Sequence, residues 1–498
     1  MNPLTYHERT KHRLDGYAKG PDTLDWSMQP DPFRTYEGSK KTFLPLSAER
    51  LDISFSSLYG KPENIPASIE SLGSLLQLSM AISAWKEYGP DKWALRCNPS
   101  SGNLHPTECY VIALAVSGIR SGLYHYSSLD HSLELRCEIP WEGETRLFFG
   151  LSSIHWREAW KYGERAFRYC QLDIGHALGA LRYAAAVHGW GMELVDSPIG
   201  VLGTENDHGD AEKEEFDILL EIDLGSGISD FPHLDMKEWQ GKPNRIDPHP
   251  MYAWTIVDEV ANSTRKTKPL PGKEKAFQHQ AGKGGISAVK LVLARRSAQR
   301  FDPAHFMERK DFFSMMEKLL PENATPWDIW GFEPKVHPVF FVHKIKGLDP
   351  GIYILPRSGA KLKERLSGEF LWEKSGPLYL LAKADCRQVA RVISCRQAIA
   401  SDSCFSLGML AEFGEIGSDP WRYRQLHWEA GLIGHVLYLE AEASGLGGTG
   451  IGCFFDDAFH ELLGIADHEL QSVYHFTVGM PVTDERISTL APYSERGE

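Results

Sequence analysis

The feature that most constrains this chain is that it repeats itself. "RYCQLDIGHALGALRYAAAVHGWG" starts at Arg168, and "RYRQLHWEAGLIGHVLYLEAEASGLG" starts at Arg422. Both read as long buried helices that end at glycines. Gly175 and Gly431 stand 256 residues apart, and so do Gly189 and Gly445. Upstream, "ECYVIALAVSGIRSGLYHYSSLD" and "PVFFVHKIKGLDPGIYILPRSG" read as strand pairs, with Gly122 and Gly351 in matching places. Like elements in like order predict a duplicated unit of about 200 residues. The alternative is two unrelated α+β domains that share a chance pattern.

At 498 residues the chain has room for about three average domains or two larger ones. The repeat and the composition shifts divide it into an extended, proline-punctuated arm (1–66), a first domain (67–225), a crossover linker rich in Lys, Pro, Gly and His (226–284) and a second domain (285–498). A net charge of −14 argues against a broad nucleic-acid footprint, because phosphate binding needs Lys and Arg. No apolar run reaches the roughly 18–20 residues of a spanning helix, and the N-terminus lacks the apolar core of a secretory signal. The eight cysteines are scattered without a C-x-x-C. Reduced thiols in a cytoplasmic protein, and no metal site, are the expectation.

Three stretches carry candidate chemistry. "RCNPSSGNLHPTE" (96–108) sets small and polar residues before a strand, with no metal-ligand spacing and no nucleophile–base pair. "ARRSAQRFDP" brings Arg295, Arg296, Ser297 and Arg300 together after the helical run "ISAVKLVLA". Forked guanidiniums and a hydroxyl suit a phosphate dianion; a solvated basic helix end accounts for the same residues. "GLGGTGIG" (445–452) satisfies G-x-G-x-x-G but follows a helix rather than a strand, so it is not a Rossmann fingerprint. Glycines there cap the helix and leave backbone that a ligand can approach. His105 and His176 are candidate ligands or bases, although satisfied structural histidines are the simpler reading.

"PSSGNLHPTE", "GLYHY", "KYGERAFRY", "GHALGAL", "RRSAQRF", "EAGLIGHVLYLEAEASGLGGTGIGCFFDD", "LLGI" and "VYHFTVGMPV", taken in order, resemble the nitroreductase superfamily of FMN-dependent oxidoreductases. The branch they are most similar to is that of the thiazole/oxazole (azoline) dehydrogenases. The likeness covers most of 67–225 and 285–490. It implies an α+β fold of two tandem nitroreductase-like lobes, each a mostly antiparallel sheet flanked by helices. In that family each FMN pocket is built by two subunits. Carried over, Arg295, Arg296, Ser297 and Arg300 would hold phosphate and ribityl, with Arg486 as a further phosphate ligand. Pro99, Ser100, Ser101, Gly102 and Asn103 would bed the flavin ring, polar groups meeting its edge, and Gly452 and Cys453 would offer backbone N–H near N5. Lys161 and Tyr162 match a catalytic Lys-Tyr pair that assists proton removal; a solvated helix start explains the same two residues.

The departures shape the expectation. The first half has only Lys40 and Lys41 near the place of the arginine clamp. The second half has "DIWGFEPK" where the bed would be, with Trp330 near the flavin position, and Glu415 and Ile416 in place of the Lys-Tyr pair. The half-sets are complementary, which implies an intrachain pseudo-dimer with one FMN per chain. The expected activity is azoline-type dehydrogenation of a small molecule or modified peptide. The alternatives are an NAD(P)H-dependent nitro, quinone or enone reductase, or a flavin-free scaffold binding a peptide or partner protein.

Overall fold

The computed structural model describes residues 1–495 except 199, 205–211, 251, 271–276, 280, 281, 283, 284 and 330. At its centre two 22-residue helices cross, Ala166–Val187 and Arg422–Ala443. Both are buried almost all round, as helices without a polar face must be. The crossing point is the glycine pair of the repeat. A Cβ built on Gly175 would lie 2.8 Å from the Gly431 Cα, and one on Gly431 would lie 2.9 Å from the Gly175 Cα. Only residues without a side chain let the two backbones approach this closely.

The helix pair lies between two seven-stranded sheets, antiparallel throughout and alike in topology except at one edge strand, which comes from the N-terminal arm in the first lobe and from between two neighbouring strands in the second. In spatial order the first runs Lys41–Phe43, Ser132–Glu138, Gly122–Ser127, Thr107–Leu114, Arg146–Ile154, Glu214–Asp223, Gly191–Leu194. The second runs Glu373–Ser375, Leu378–Lys383, Gly351–Ile354, Val336–Val342, Phe405–Glu412, Leu470–Gly479, Gly447–Ile451. The fold is therefore α+β, two like lobes in one chain. Gly122 and Gly351 open corresponding strands for one reason: a Cβ on either would strike a carbonyl of the neighbouring strand, Cys137 O at 2.7 Å in the first lobe and Ala382 O in the second.

Strand side chains alternate between two cores. Val111 and Ala113 face a central apolar cluster that runs through both helices into the second sheet, while Tyr110, Ile112 and Leu114 face an outer cluster of the first lobe. Val339 and Phe341 face the second lobe's outer cluster. The lobes thus share one interior. Buried ion pairs cross the join in both directions: Arg168 Nη2 donates to Asp456 Oδ1 at 2.9 Å, and Arg424 Nη1 donates to Asp217 Oδ1 at 2.5 Å. Arg168 and Arg424 hold the same repeat position, 256 residues apart.

The termini also join the lobes. Helix Pro3–Arg9 buries Tyr6 and His7, whose ring meets Phe413 at 4.7 Å, and Tyr6 Oη donates to Glu164 O at 2.6 Å. In the segment between the lobes, helix Thr255–Ser263 buries Ile256, Val257, Val260 and Ala261 in the central cluster. Near the C-terminus Ser488–Leu490 pairs with Ile82–Tyr88, which pairs in turn with Asp91–Arg96. No helix among the described residues is long and apolar enough to cross a membrane.

One expectation is corrected. The eight cysteines are not all reduced: Cys395 and Cys453 form a disulfide, with Cα atoms 5.8 Å apart. The partners are 58 residues apart in sequence, so no local spacing announces them. The other six are free and buried.

Candidate functional site

A cavity of about 630 Å³ opens between the lobes. Residues 99–103 and Tyr162 of the first half line it, together with residues 295–297, Gly452 and Cys453 of the second. The complementary half-sets therefore share one space.

The wall from the first lobe is an unusual piece of backbone. Gly102 (φ 58°), Asn103 (φ 60°) and His105 (φ 53°) all occupy the left-handed region, which non-glycine residues enter only where their surroundings impose it. Three side-chain contacts impose it here. Asp173, inside the first central helix, accepts from Ser101 N at 3.0 Å and from Ser101 Oγ at 2.9 Å. Ser100 Oγ accepts from His105 N at 2.8 Å, and Asn103 Nδ2 donates to Ala94 O at 2.9 Å. The polar side chains of this loop thus fold the loop itself.

Lys161 and Tyr162 close over it. A Cβ on Gly102 would meet the Tyr162 hydroxyl and lie 3.1 Å from Lys161 Nζ, so both groups converge on the one residue that offers bare backbone. Lys161 Nζ also sits 5.0 Å from the centre of the Trp26 ring. Burial lowers the lysine's pKa, opposed by the charge of Glu158, and burial raises that of Tyr162 well above the ordinary tyrosine value. Beneath them Glu158 is fully buried, and neither of its oxygens has a hydrogen-bond partner among the described residues. Burial and the neighbouring Asp173 raise its pKa well above the carboxylate range; burial also lifts Asp173 to about 7, against the serine hydrogen bonds. Glu158 is therefore protonated near neutrality, and Asp173 titrates close to it.

The opposite wall is cationic. Arg295 is 3% exposed, lies 4.9 Å from the Tyr438 ring centre and donates Nη2 to Arg96 O at 3.2 Å. Its Nε and Nη1 have no hydrogen-bond partner among the described residues. Arg296 is differently placed, with Nη1 on Leu293 O and Arg295 O and Nη2 on Ser83 O. Ser297 Oγ shares a 2.8 Å hydrogen bond with Tyr438 Oη, which in turn accepts from Gly450 N at 3.1 Å. Arg300 and Arg486 are exposed and outside the lining, and Arg486 Nη2 pairs with Asp484 at 2.7 Å. His105 and His176 both line the cavity, and burial depresses both, His176 to about 3. They are neutral at pH 7. Sequence reasoning missed Asp173, Glu158, Arg96 and Tyr438. Asp173 had a signal: it is a lone acid in an apolar helical run, with Glu429 at the same repeat position. Glu429 does the matching job, accepting from Lys335 N at 2.9 Å in the second lobe.

The pseudo-symmetric place holds a smaller cavity of about 290 Å³. Val195 and Ser197 line it, 256 residues before Ile451 and Cys453, together with Arg424. Its arginines are already paired: Arg424 with Asp217 and Glu215, and Arg265 of the connecting segment with Glu215. Trp330 lies outside the described residues. Glu415 is 55% exposed and paired with Arg422 at 3.4 Å, while Ile416 is buried.

Comparison with known proteins agrees with this architecture. The profile of the nitroreductase family matches residues 353–480. Over that stretch the chain is similar to the nitroreductase family. A Methanocaldococcus jannaschii protein assigned as a nitroreductase is 27% identical over 124 residues, 22% of this chain and 59% of that protein. The crystal structure of an Anabaena variabilis protein assigned as a nitroreductase superposes with a TM-score of 0.70 at 20% identity, covering 97% of this chain and 100% of the other. That full-length superposition shows the fold: the nitroreductase-like lobe is present twice.

Proposed function

We propose that the chain is an FMN-dependent oxidoreductase with one composite flavin site, acting as an azoline-type dehydrogenase on a small molecule or modified peptide. The observation that carries this is the pairing, across one cavity of about 630 Å³, of the Arg295 donors with the bare backbone at Gly102. Two unpartnered guanidinium nitrogens on a buried arginine are costly unless an anion meets them, and a phosphate supplies the matching oxygens. The left-handed loop around Gly102 fits a flat ring that needs close backbone approach. FMN satisfies both ends, and when bound it supplies the acceptor for a hydride.

The chain's residues do the rest. Arg295 and Ser297 would hold the phosphate end, and the loop held by Asp173 would bed the ring. Lys161, with its pKa lowered by burial, takes the proton from the substrate atom next to the one that loses hydride. Tyr162 remains protonated and orients the substrate by donating its O–H. Trp26 over Lys161 limits the access of water. The arginines of the smaller cavity are already held by carboxylates, so neither offers a phosphate a free guanidinium, in keeping with a single site.

Titration of the flavin-free protein with FMN, followed by flavin fluorescence and visible absorbance, tests the cofactor. A thiazoline- or oxazoline-bearing peptide with oxygen, set against NAD(P)H with a nitroarene, then tests the direction. Turnover of the heterocycle without added nicotinamide supports the dehydrogenase. Turnover only with NAD(P)H makes the chain a reductase, and failure to bind FMN leaves a scaffold.

A further inference from the structure

Cys453 lines the cavity, and its disulfide partner Cys395 stands just behind that wall. These two are the only cysteines in the chain that are partly exposed; the other six are free and buried. Cys395 (φ 51°) and Arg396 (φ 62°) are consecutive left-handed residues, a backbone shape that must be held in place by its surroundings. Here the surroundings are the cavity wall itself. Gln397 Nε2 donates to Cys453 O at 3.2 Å, and Phe455 N donates to Ile393 O at 2.7 Å, on either side of the sulfur pair. The two segments are therefore fastened together without the S–S bond. A disulfide flanked by such bonds can open and close with its sulfurs staying adjacent.

We propose that Cys395 and Cys453 are a redox-active pair that exchanges two electrons with the flavin of the adjacent cavity. The inference rests on the flavin reading given above. In the reductive direction the Cys395–Cys453 S–S bond breaks and takes up two electrons and two protons. Each sulfur becomes a thiol, and the reduced flavin that supplies the electrons returns to its oxidised form. The reverse step closes the S–S bond and returns the electrons to the flavin. The pair thus gives the site a second two-electron store, and it makes the redox state of the cavity wall depend on turnover.

The test is an anaerobic dithionite titration of the flavin-loaded full chain, with thiols counted in denaturant before and after. The expected result is about four electron equivalents per flavin, two for each two-electron couple. Thiols rise from the six free cysteines to all eight. Flavin-free protein given the same dithionite keeps six. Cys395→Ser, which leaves the cavity lining in place, takes up about two equivalents with no change in thiols. Several results would overturn the proposal: about two equivalents in the unaltered chain, eight thiols before any reduction, or equal opening of the disulfide without flavin. If the chain retains no flavin at all, the cofactor reading fails first and the inference falls with it.

Discussion

In the proposed flavin site, Arg295 is the residue on which cofactor binding turns. Arg295→Ala removes a buried cation with two free donors, and a charged hydrogen-bonded contact contributes about 1.5–3 kcal/mol. FMN affinity is expected to fall roughly 10- to 150-fold by fluorescence titration, whereas Arg486→Ala, on the exposed surface, leaves it unchanged. Lys161→Met is expected to keep FMN binding and to lower kcat by about 10²–10⁴, the usual weight of a general base. The rising limb of the pH–rate profile then belongs to Lys161 and lies below the ordinary lysine value, because burial lowers its pKa. Asp173 gives a stability signature of opposite kind. Its pKa is raised from 3.8 to about 7, so the folded state keeps a proton that the unfolded state has lost. Its contribution is present below pH 4 and is lost as pH climbs towards 7. Asp173→Asn, compared with the parent by thermal melts at pH 5 and 7.5, is expected to show a smaller fall in Tm over that interval. Lys161 and residues 99–103 were legible in the sequence because motif order carries them. The free donors of Arg295 and the engagement of Arg296 were not, because "RRS" reads alike whether a guanidinium faces a cavity or its own helix end.

At the scale of elements, the crossing of the two central helices fixes everything around it. The equal spacing of Gly175 and Gly431 was visible in the sequence, but their contact was not, since spacing alone cannot say that repeated glycines touch each other. Gly175→Leu would drive a side chain into the Trp428–Gly431 backbone and push the helices apart. Overpacking of this kind costs about 1–3 kcal/mol, and because the cavity lies between the lobes, FMN affinity is expected to fall with stability in denaturant titrations. The strands of "ECYVIALAV" and "GLYHY" were equally plain. The arrangement of the first 43 residues was not. Pro3–Arg9 and Lys41–Phe43 are short, and they are held by contacts with distant elements rather than by any local pattern.

For the whole molecule, duplication explains both the shared core and the asymmetry. Two lobes with one interior could each support a pocket, yet only one cavity keeps an arginine with free donors. In the other, Arg424 and Arg265 are drawn into ion pairs with Glu215 and Asp217. Ser197→Trp, which fills the smaller cavity, is expected to leave FMN binding and turnover unchanged, as measured by titration and steady-state rates. The sequence carried the complementarity of the two half-sets of motifs, but the segment from 226 to 284 showed no sign that its Arg265 would line the smaller cavity. The most direct measurement is the number of FMN molecules per chain, counted after heat release from protein saturated with the cofactor. One per chain, abolished at micromolar FMN by Arg295→Ala and untouched by Ser197→Trp, is the expected result. Two per chain, or one that survives Arg295→Ala and is lost in Ser197→Trp, would contradict the single composite site.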